Sequence, residues 1–338
     1  MRAAEEVTLD TFKAYRIYND NNAVAGRVVE TRLDDLSPGD VVFKTSHSSV
    51  NYKDALAGTG TGGKIIRKYP LTGGIDAAGT VVSSSDVRFK PGDEVICTSY
   101  EMGVAHDGGY GQYCRVPADW VVPLPKGLTL FEAMALGTAG YTAGLAVELL
   151  ELNGLSPSKG KVLVNGATGG VATLTIDMLA RLGYEITAVT GKGNESGFLK
   201  DIGARDVLLR QSIDYGSKPL EKTLWAAAFD SVGGEQLGWL TRTMQTHGLI
   251  ASFGNAGGIE LKTTVLPFIL RGVRLIGVDS GYTPMPLRRK VWDRLASDLK
   301  PRHLGAIATT IGFADLPVQF DQMLKGGARG RAVVDVWH

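Results

Sequence analysis

One stretch limits the fold more than any other. Residues 161–165 (KVLVN) are a short apolar run that predicts a buried strand, and residues 169–182 carry the composition of a helix. Between them lies Asn165-Gly166-Ala167-Thr168-Gly169-Gly170-Val171-Ala172. Strand, glycine-rich turn and helix in that order are the context a dinucleotide fingerprint requires. Gly166 allows the tight turn out of the strand. Gly169 and Gly170 let backbone N–H groups approach a pyrophosphate, at a helix end that already favours negative charge. Ala172 stands where a third glycine is often found. No Gly-Lys-Ser/Thr follows, which excludes a P-loop. The plainer alternative is an ordinary glycine-rich turn, against which a second strand follows at the right distance.

That second strand, residues 185–189, runs into Thr190-Gly191-Lys192. NAD-binding folds commonly place a carboxylate near here to hold the ribose hydroxyl. This chain has a hydroxyl and an ammonium instead. Both suit a 2′-phosphate, so the expected cofactor is NADPH. Arg210, after a third strand (206–209), is either a second cation for that phosphate or a solvated strand-end charge.

Strands and helices go on alternating. Residues 198–202 and 237–244 predict helices, and 226–230 and 248–253 predict strands, which implies βαβ units and a parallel sheet. Residues 1–133 read differently. Ser37-Pro38-Gly39-Asp40 and Lys90-Pro91-Gly92-Asp93 are turns that lead into β-rich runs, and residues 73–82 predict a buried strand entered through glycines. A β-rich, partly open barrel is expected there. Residues 284–299 predict a basic amphipathic helix, and 331–336 a strand that returns to the first domain. The expected division is a barrel domain of residues 1–133 and 281–338 around a dinucleotide-binding domain of 134–280.

Composition removes other classes. Lys plus Arg total 36 against 35 Asp plus Glu, so no bulk basic surface invites nucleic acid. Cys97 and Cys114 are the two cysteines, too few for a four-cysteine zinc site or a disulfide framework. The acidic start, Met1-Arg2-Ala3-Ala4-Glu5-Glu6, is unlike a secretory leader, and no run of 18 apolar residues is evident. A cytoplasmic protein without a membrane span is expected.

Several longer phrases carry a resemblance. They are Ser49-Val50-Asn51-Tyr52-Lys53-Asp54-Ala55-Leu56, Pro91-Gly92-Asp93-Glu94-Val95, Gly137-Thr138-Ala139-Gly140-Tyr141-Thr142-Ala143, and the 14 residues from Pro267 to Ser280. Together the chain resembles the medium-chain dehydrogenase/reductase superfamily over essentially its whole length. Within it, the phrases are similar to the YhdH/YhfP-type quinone oxidoreductases, which include NADPH-dependent acrylyl-CoA reductases. The resemblance implies an α/β protein with a doubly wound Rossmann domain and a GroES-like barrel. Zinc-dependent relatives place a Cys where Asn51 stands and a Gly-His-Glu where Gly74-Ile75-Asp76 stands. They also carry a four-cysteine lobe. Neither ligand set is present in this sequence.

The implied activity is zinc-independent, NADPH-dependent reduction of the C=C bond of an α,β-unsaturated carbonyl compound. A short enoyl-CoA such as acryloyl-CoA, giving propionyl-CoA, is the sharpest form. NADPH-dependent reduction of quinones or small enones is the alternative, and a non-catalytic NADPH-binding protein the third. By resemblance Tyr52 faces the nicotinamide end, Asn51 holds a ribose or the substrate carbonyl, and Asp54 orients its neighbours. Asn51 and Asp54 could equally be helix-cap residues. Enoyl-thioester reductases carry a proton-donating Tyr some ten residues beyond the Asn, where this chain has Gly60-Thr61-Gly62-Gly63, which leaves Tyr52 or water as the donor. The same resemblance puts Thr168, Gly169, Gly170 and Val171 on the pyrophosphate, and Thr190, Gly191, Lys192 and Arg210 on the 2′-phosphate. Asn255, Ile269 and Ser280 go to the nicotinamide side, with core packing as the other reading of Ile269. Lys64, Arg67, Lys68, Arg88 and Lys90 could meet CoA phosphates or form a solvated basic face. A homodimer is expected, paired through the apolar strand at residues 272–280.

Overall fold

The computed structural model describes residues 11–338, so the reading of the acidic start at residues 1–6 lies outside it. The chain forms two compact units. The first takes the residues up to Thr138 together with Gly281–Arg289 and Ala308–His338; the second takes Ala139–Ser280 and Lys290–Ile307.

The first unit is β-rich, with GroES-like architecture. A seven-stranded sheet runs in the order Ala308–Ile311, Arg331–Asp335, Val41–Ser49, Asp76–Ser84, Glu94–Thr98, Val121–Pro123, and Tyr113–Val116 also pairs with Val41–Ser49. A smaller sheet joins Ala23–Thr31, Phe12–Asp20 and Leu71–Thr72. Val41–Ser49 is central because Val41 and Phe43 are fully buried among Val81, Val95 and Val116. The Pro-Gly-Asp turns behave as their residue types suggest. The Asp93 carboxylate accepts the Lys90 N–H at 2.9 Å, and Asp40 accepts the Ala118 N–H at 3.1 Å.

Two registers on the central strand bring distant charges to one place. Val333 pairs with Ser49 and Val334 with Ser48, so Arg331, two residues earlier, comes opposite Asn51. On the other side His47 pairs with Ala78, which brings Asp76 level with Ser49. The returning C-terminal strand expected from the sequence thus docks on this central strand.

The second unit is the Rossmann-like part. Six strands are all parallel in the order Asp206–Leu209, Ile186–Thr190, Val162–Val164, Trp225–Asp230, Met244–Ser252, Arg274–Gly277. Helices Gly170–Arg181, Ser196–Asp201 and Gly234–Thr243 connect them. The inner strands are buried on both faces, as the near-continuous apolar runs VLV and WAAAF require. Strand order reverses between Val162–Val164 and Trp225–Asp230, the switch point of a doubly wound sheet.

Two differences from the sequence reading have physical causes. The basic helix is Met285–Leu295, and from Lys290 onward it belongs to the Rossmann unit, where the sequence reading gave all of 281–338 to the barrel. Val291, Trp292 and Leu295 are fully buried, the Trp292 ring stacks on Tyr141 at 6.0 Å, and Lys290 and Arg294 pair with Glu148 at 2.5 and 2.8 Å. Hydrophobic burial with a paired acid outweighs the helix's place in the chain order. Second, the helix Leu130–Leu152 is long and apolar enough to cross a membrane by length and composition. It is a core helix, with 89% of that window buried inside the protein. Polar Thr138 and Thr142 interrupt the apolar residues, so the run escapes a simple count.

Candidate active site

In the first unit, the phrase Asn51-Tyr52-Lys53-Asp54 opens the helix Tyr52–Thr59. Asn51 is the N-cap, in extended conformation, and its N–H donates to the Asp54 carboxylate at 2.8 Å. This is the reach-back half of a capping box. The other Asp54 oxygen accepts the Ile75 N–H at 2.9 Å. Asp54 is therefore a buried acceptor that ties the helix start to the neighbouring strand. Burial, reinforced by the charge of Asp76, pushes its pKa up to about 7. Tyr52, by contrast, is 45% exposed at the first position of the helix. Of the three residues singled out in this phrase, it presents its side chain to solution most freely.

Asn51 has its polar atoms fully engaged. Its amide Nδ2 donates to Asp76 at 2.7 Å and to Asp54 at 3.3 Å, and its Oδ1 accepts from Arg331 Nη1 at 3.2 Å. Carboxylates only accept and guanidinium only donates, so this network itself sets which way the carboxamide points. The structure places Asn51 as a brace between two acids and a cation. A free donor for ribose or substrate carbonyl is not what these contacts leave.

Sequence reasoning missed the residues that hold this brace. Asp76 accepts from Ser49 Oγ at 2.7 Å, Thr138 N at 2.9 Å and Thr138 Oγ1 at 2.6 Å, with Arg331 Nη2 at 3.7 Å. Arg331 also donates to the Val50 and Ala135 carbonyls and to Ser49 Oγ. Burial lowers the Arg331 pKa and raises that of buried Tyr110, where the charges of Asp54 and Asp76 add to the rise. The signal was present: Asp76 and Arg331 are charges at the head of the runs DAAGTVV and RAVV, whose residues are mostly apolar and buried, and a fold tolerates such charges only when they are paired. Among the described residues, no group of three or more His, Cys, Asp or Glu side chains is placed to hold a metal ion.

Gly137 makes the room. It interrupts the helix Leu130–Leu152 at φ 52° and ψ −155°. A Cβ there would lie 2.4 Å from Asp76, 2.5 Å from Ser49 Oγ and 2.7 Å from Arg331. The kink also turns the Thr138 N–H onto Asp76.

In the second unit the nucleotide candidates gather at one end of the sheet. Gly166 (φ +58°) leaves the strand Val162–Val164, and a Cβ on it would meet Ser231 Oγ at 2.3 Å. Gly169 is the N-cap of the helix Gly170–Arg181, so Gly170 and Val171 are its first residues, and Thr168 is buried just before it. Thr190 ends the next strand, and its Oγ1 accepts the Lys192 N–H at 3.0 Å. A Cβ on Gly191 would lie 3.3 Å from Arg210 Nη2, so this guanidinium lies against the Gly191 backbone. The Arg210 guanidinium thus stands beside the turn Thr190-Gly191-Lys192.

Asn255 follows the strand Met244–Ser252, and Ser280 follows Arg274–Gly277, with its Oγ accepting from Thr142 at 2.8 Å. Both lie beyond carboxyl ends of strands, where ligands bind in such sheets. Ile269 stands on a different element. It lies in the helix Leu266–Arg271, before the last strand, and is 68% exposed, which also removes the core-packing reading. Two unforeseen residues brace the glycine turn. Asp230, fully buried, accepts from Asn165 Nδ2 at 2.5 Å and from the Gly233 N–H at 3.1 Å, while the Ser231 N–H donates to Asn165 Oδ1 at 2.8 Å. Burial raises the Asp230 pKa.

The basic residues offered for CoA are partly committed. Arg88 pairs with Asp86 and Asp119, and Arg67 with Glu101. These contacts favour the solvated-face reading for both arginines.

Comparison with known proteins agrees with this architecture. Residues 37–126 match the alcohol dehydrogenase GroES-like domain. The acrylyl-CoA reductase AcuI of Ruegeria pomeroyi is 47% identical over 310 residues, 91% of this chain and 94% of that protein. The YhdH oxidoreductase of Salmonella enterica, crystallised with NADP, superposes with a TM-score of 0.93 at 44% identity, covering 96% of this chain and 99% of that one. The YhfP protein of Bacillus subtilis, crystallised with NAD, gives 0.94 at 47% identity with the same coverage. The chain belongs to the medium-chain dehydrogenase/reductase superfamily, in the group of the YhdH and YhfP oxidoreductases and the AcuI acrylyl-CoA reductases.

Proposed function

We propose that this protein uses NADPH to reduce the C=C bond of an α,β-unsaturated carbonyl compound, with acryloyl-CoA as the preferred substrate. The observation that carries this reading is the 47% identity to an acrylyl-CoA reductase over 91% of the chain. The strand end supports the choice of nucleotide: Thr190-Gly191-Lys192 stands where NAD-binding folds commonly put a carboxylate, and the Arg210 guanidinium lies against Gly191, which suits a 2′-phosphate. The glycine turn at 166–170, which opens the helix Gly170–Arg181, would hold the pyrophosphate together with Thr168 and Val171. Ser280 and Asn255 would serve the nicotinamide side. NADPH supplies a hydride when bound. The chain's own contribution is to bind, orient and stabilise. Tyr52 offers a hydroxyl to the negative charge that develops on the substrate carbonyl, as an oxyanion donor does. Asn51 and Asp54 hold the helix that carries it. No metal is required, because a conjugated carbonyl already accepts the charge.

The barrel unit is then the catalytic part, and residues 139–280 the nucleotide-binding part. A homodimer, a cytoplasmic location, and no nucleic-acid or membrane partner complete the reading. Reduction of quinones or small enones is a second reading, favoured by the quinone oxidoreductase name of YhfP, 48% identical over 96% of this chain.

The test is steady-state oxidation of NADPH, and separately NADH, with acryloyl-CoA, crotonyl-CoA and a set of quinones. The expected result is the highest kcat/KM for NADPH with acryloyl-CoA, with activity intact after exhaustive chelation. Preference for a quinone would move the assignment to the second reading. NADPH binding without turnover of any acceptor would leave only a binding protein.

A further inference from the structure

The Asp76–Arg331 pair does more than neutralise buried charge. Arg331 spreads its guanidinium over the Val50 carbonyl at 2.8 Å, Asn51 Oδ1 at 3.2 Å, Ser49 Oγ at 2.8 Å and, through Nε, the Ala135 carbonyl at 3.2 Å. Three of those four acceptors belong to consecutive residues, 49, 50 and 51, immediately before Tyr52. Asp76 takes Ser49 Oγ and Asn51 Nδ2, again the residues on either side of Val50. The backbone adds the Val50 N–H to the Ala332 carbonyl at 2.9 Å. The turn from central strand to helix is thus gripped from two neighbouring strands. The grip passes onward through Asn51 to Asp54, and Asp54 caps the helix.

We infer that Asp76 and Arg331 are positioning residues, which set the start of the Tyr52 helix by holding residues 49–51 in one geometry. This rests on the reading of Tyr52 as the group that acts on substrate, and it extends that reading to two residues it did not contain. A planar fork is needed at 331. A point charge would neutralise Asp76 but could not meet the acceptors on Ser49, Val50 and Asn51 together. A substitution of Arg331 by Lys separates the two roles, since it keeps the charge and loses the fork.

The groups facing Asp54 are Asp76 on the adjoining strand, Arg331 on the C-terminal strand and Tyr110. Asp54 holds its proton up to about 7 because it is buried and then because Asp76 is near. Its ionised form is the better acceptor for the Asn51 and Ile75 N–H groups, so turnover should fall on the acid side of that value. Removing the Asp76 charge should let Asp54 ionise more readily and move this acid limb to lower pH.

The experiment compares wild type, Arg331→Lys, Asp76→Asn and Ser49→Ala on the full-length protein. The readouts are the thermal midpoint, hydrogen exchange of peptides spanning residues 50–59, kcat and KM for NADPH, and the pH profile of kcat. Arg331→Lys is expected to stay folded, to exchange faster over residues 51–55 and to lose roughly 10²-fold in kcat, the scale for a reacting group displaced by about 1 Å. The KM for NADPH should stay near wild type. Ser49→Ala, the mildest variant, should shift exchange and kcat in the same direction by less, and it decides the matter if the other two fail to fold. Wild-type exchange and kcat in a folded Arg331→Lys would overturn the inference, since charge alone would then suffice. So would losses in kcat that track the unfolded fraction. If wild type turns over no acceptor at all, the functional reading fails separately, and exchange over residues 51–55 still decides whether the pair positions this helix.

Discussion

At the scale of single residues, the site is a division of labour between what is buried and what is not. Asp54 and Asn51 spend their hydrogen-bonding capacity on each other and on their neighbours, while Tyr52 between them leaves its ring 45% exposed. Tyr52→Phe should therefore leave the thermal midpoint almost unchanged, as exposed substitutions usually shift stability by no more than about 0.5 kcal/mol. If the hydroxyl donates to developing charge, kcat should fall by roughly 10²–10³-fold, the scale for one oxyanion donor. Kinetics and melting on the same preparation check this; an unchanged kcat would show the hydroxyl to be dispensable. The sequence displayed Asn51, Tyr52 and Asp54 because they are contiguous. It did not show that Asp76 and Arg331 join them, because Arg331 and Asn51 lie 280 positions apart and meet only through strand pairing. Ile269 shows a different limit, where an apolar residue type that suggests core packing lies 68% exposed on the helix Leu266–Arg271.

At the scale of elements, register does what individual residues cannot. One central strand, Val41–Ser49, receives Asp76–Ser84 on one side and Arg331–Asp335 on the other, and the two alignments deliver an acid and a base to the same turn. A slip of one residue in either pairing would point that side chain to the opposite face. The helix Leu130–Leu152 completes the arrangement by breaking at Gly137. Gly137→Ala should cost roughly 2–4 kcal/mol, from a strained positive φ and from a methyl forced into a filled space. Urea midpoints would show it; a loss below about 0.5 kcal/mol, the scale of a neutral surface change, would mean the network relaxes around the methyl. The parallel sheet was legible from sequence because strand and helix signals alternate locally. The break at Gly137 was not, since the glycine answers to side chains distant in sequence.

At the scale of the whole molecule, the six-stranded sheet ends in Arg274–Gly277, which pairs with one neighbour and presents its other side as an edge. Val265, Ile269 and Leu270, just before it, are all more than 60% exposed. An apolar edge of this kind is a liability unless covered, and two-fold pairing covers it most economically. Light scattering should give twice 36.0 kDa at micromolar concentration, and a value near 36.0 kDa would exclude the dimer. The unit boundaries have a further consequence, for the order in which the chain can be built. The Rossmann unit is complete once residue 307 has been synthesised, but the barrel unit draws on three separate segments and closes only with the last of them. Until Arg331 arrives, Asp54 and Asp76 have no cation to join them. A chain that stops before the last strand therefore holds every segment of the Rossmann unit, while the central strand Val41–Ser49 of the barrel lacks its partner on one side.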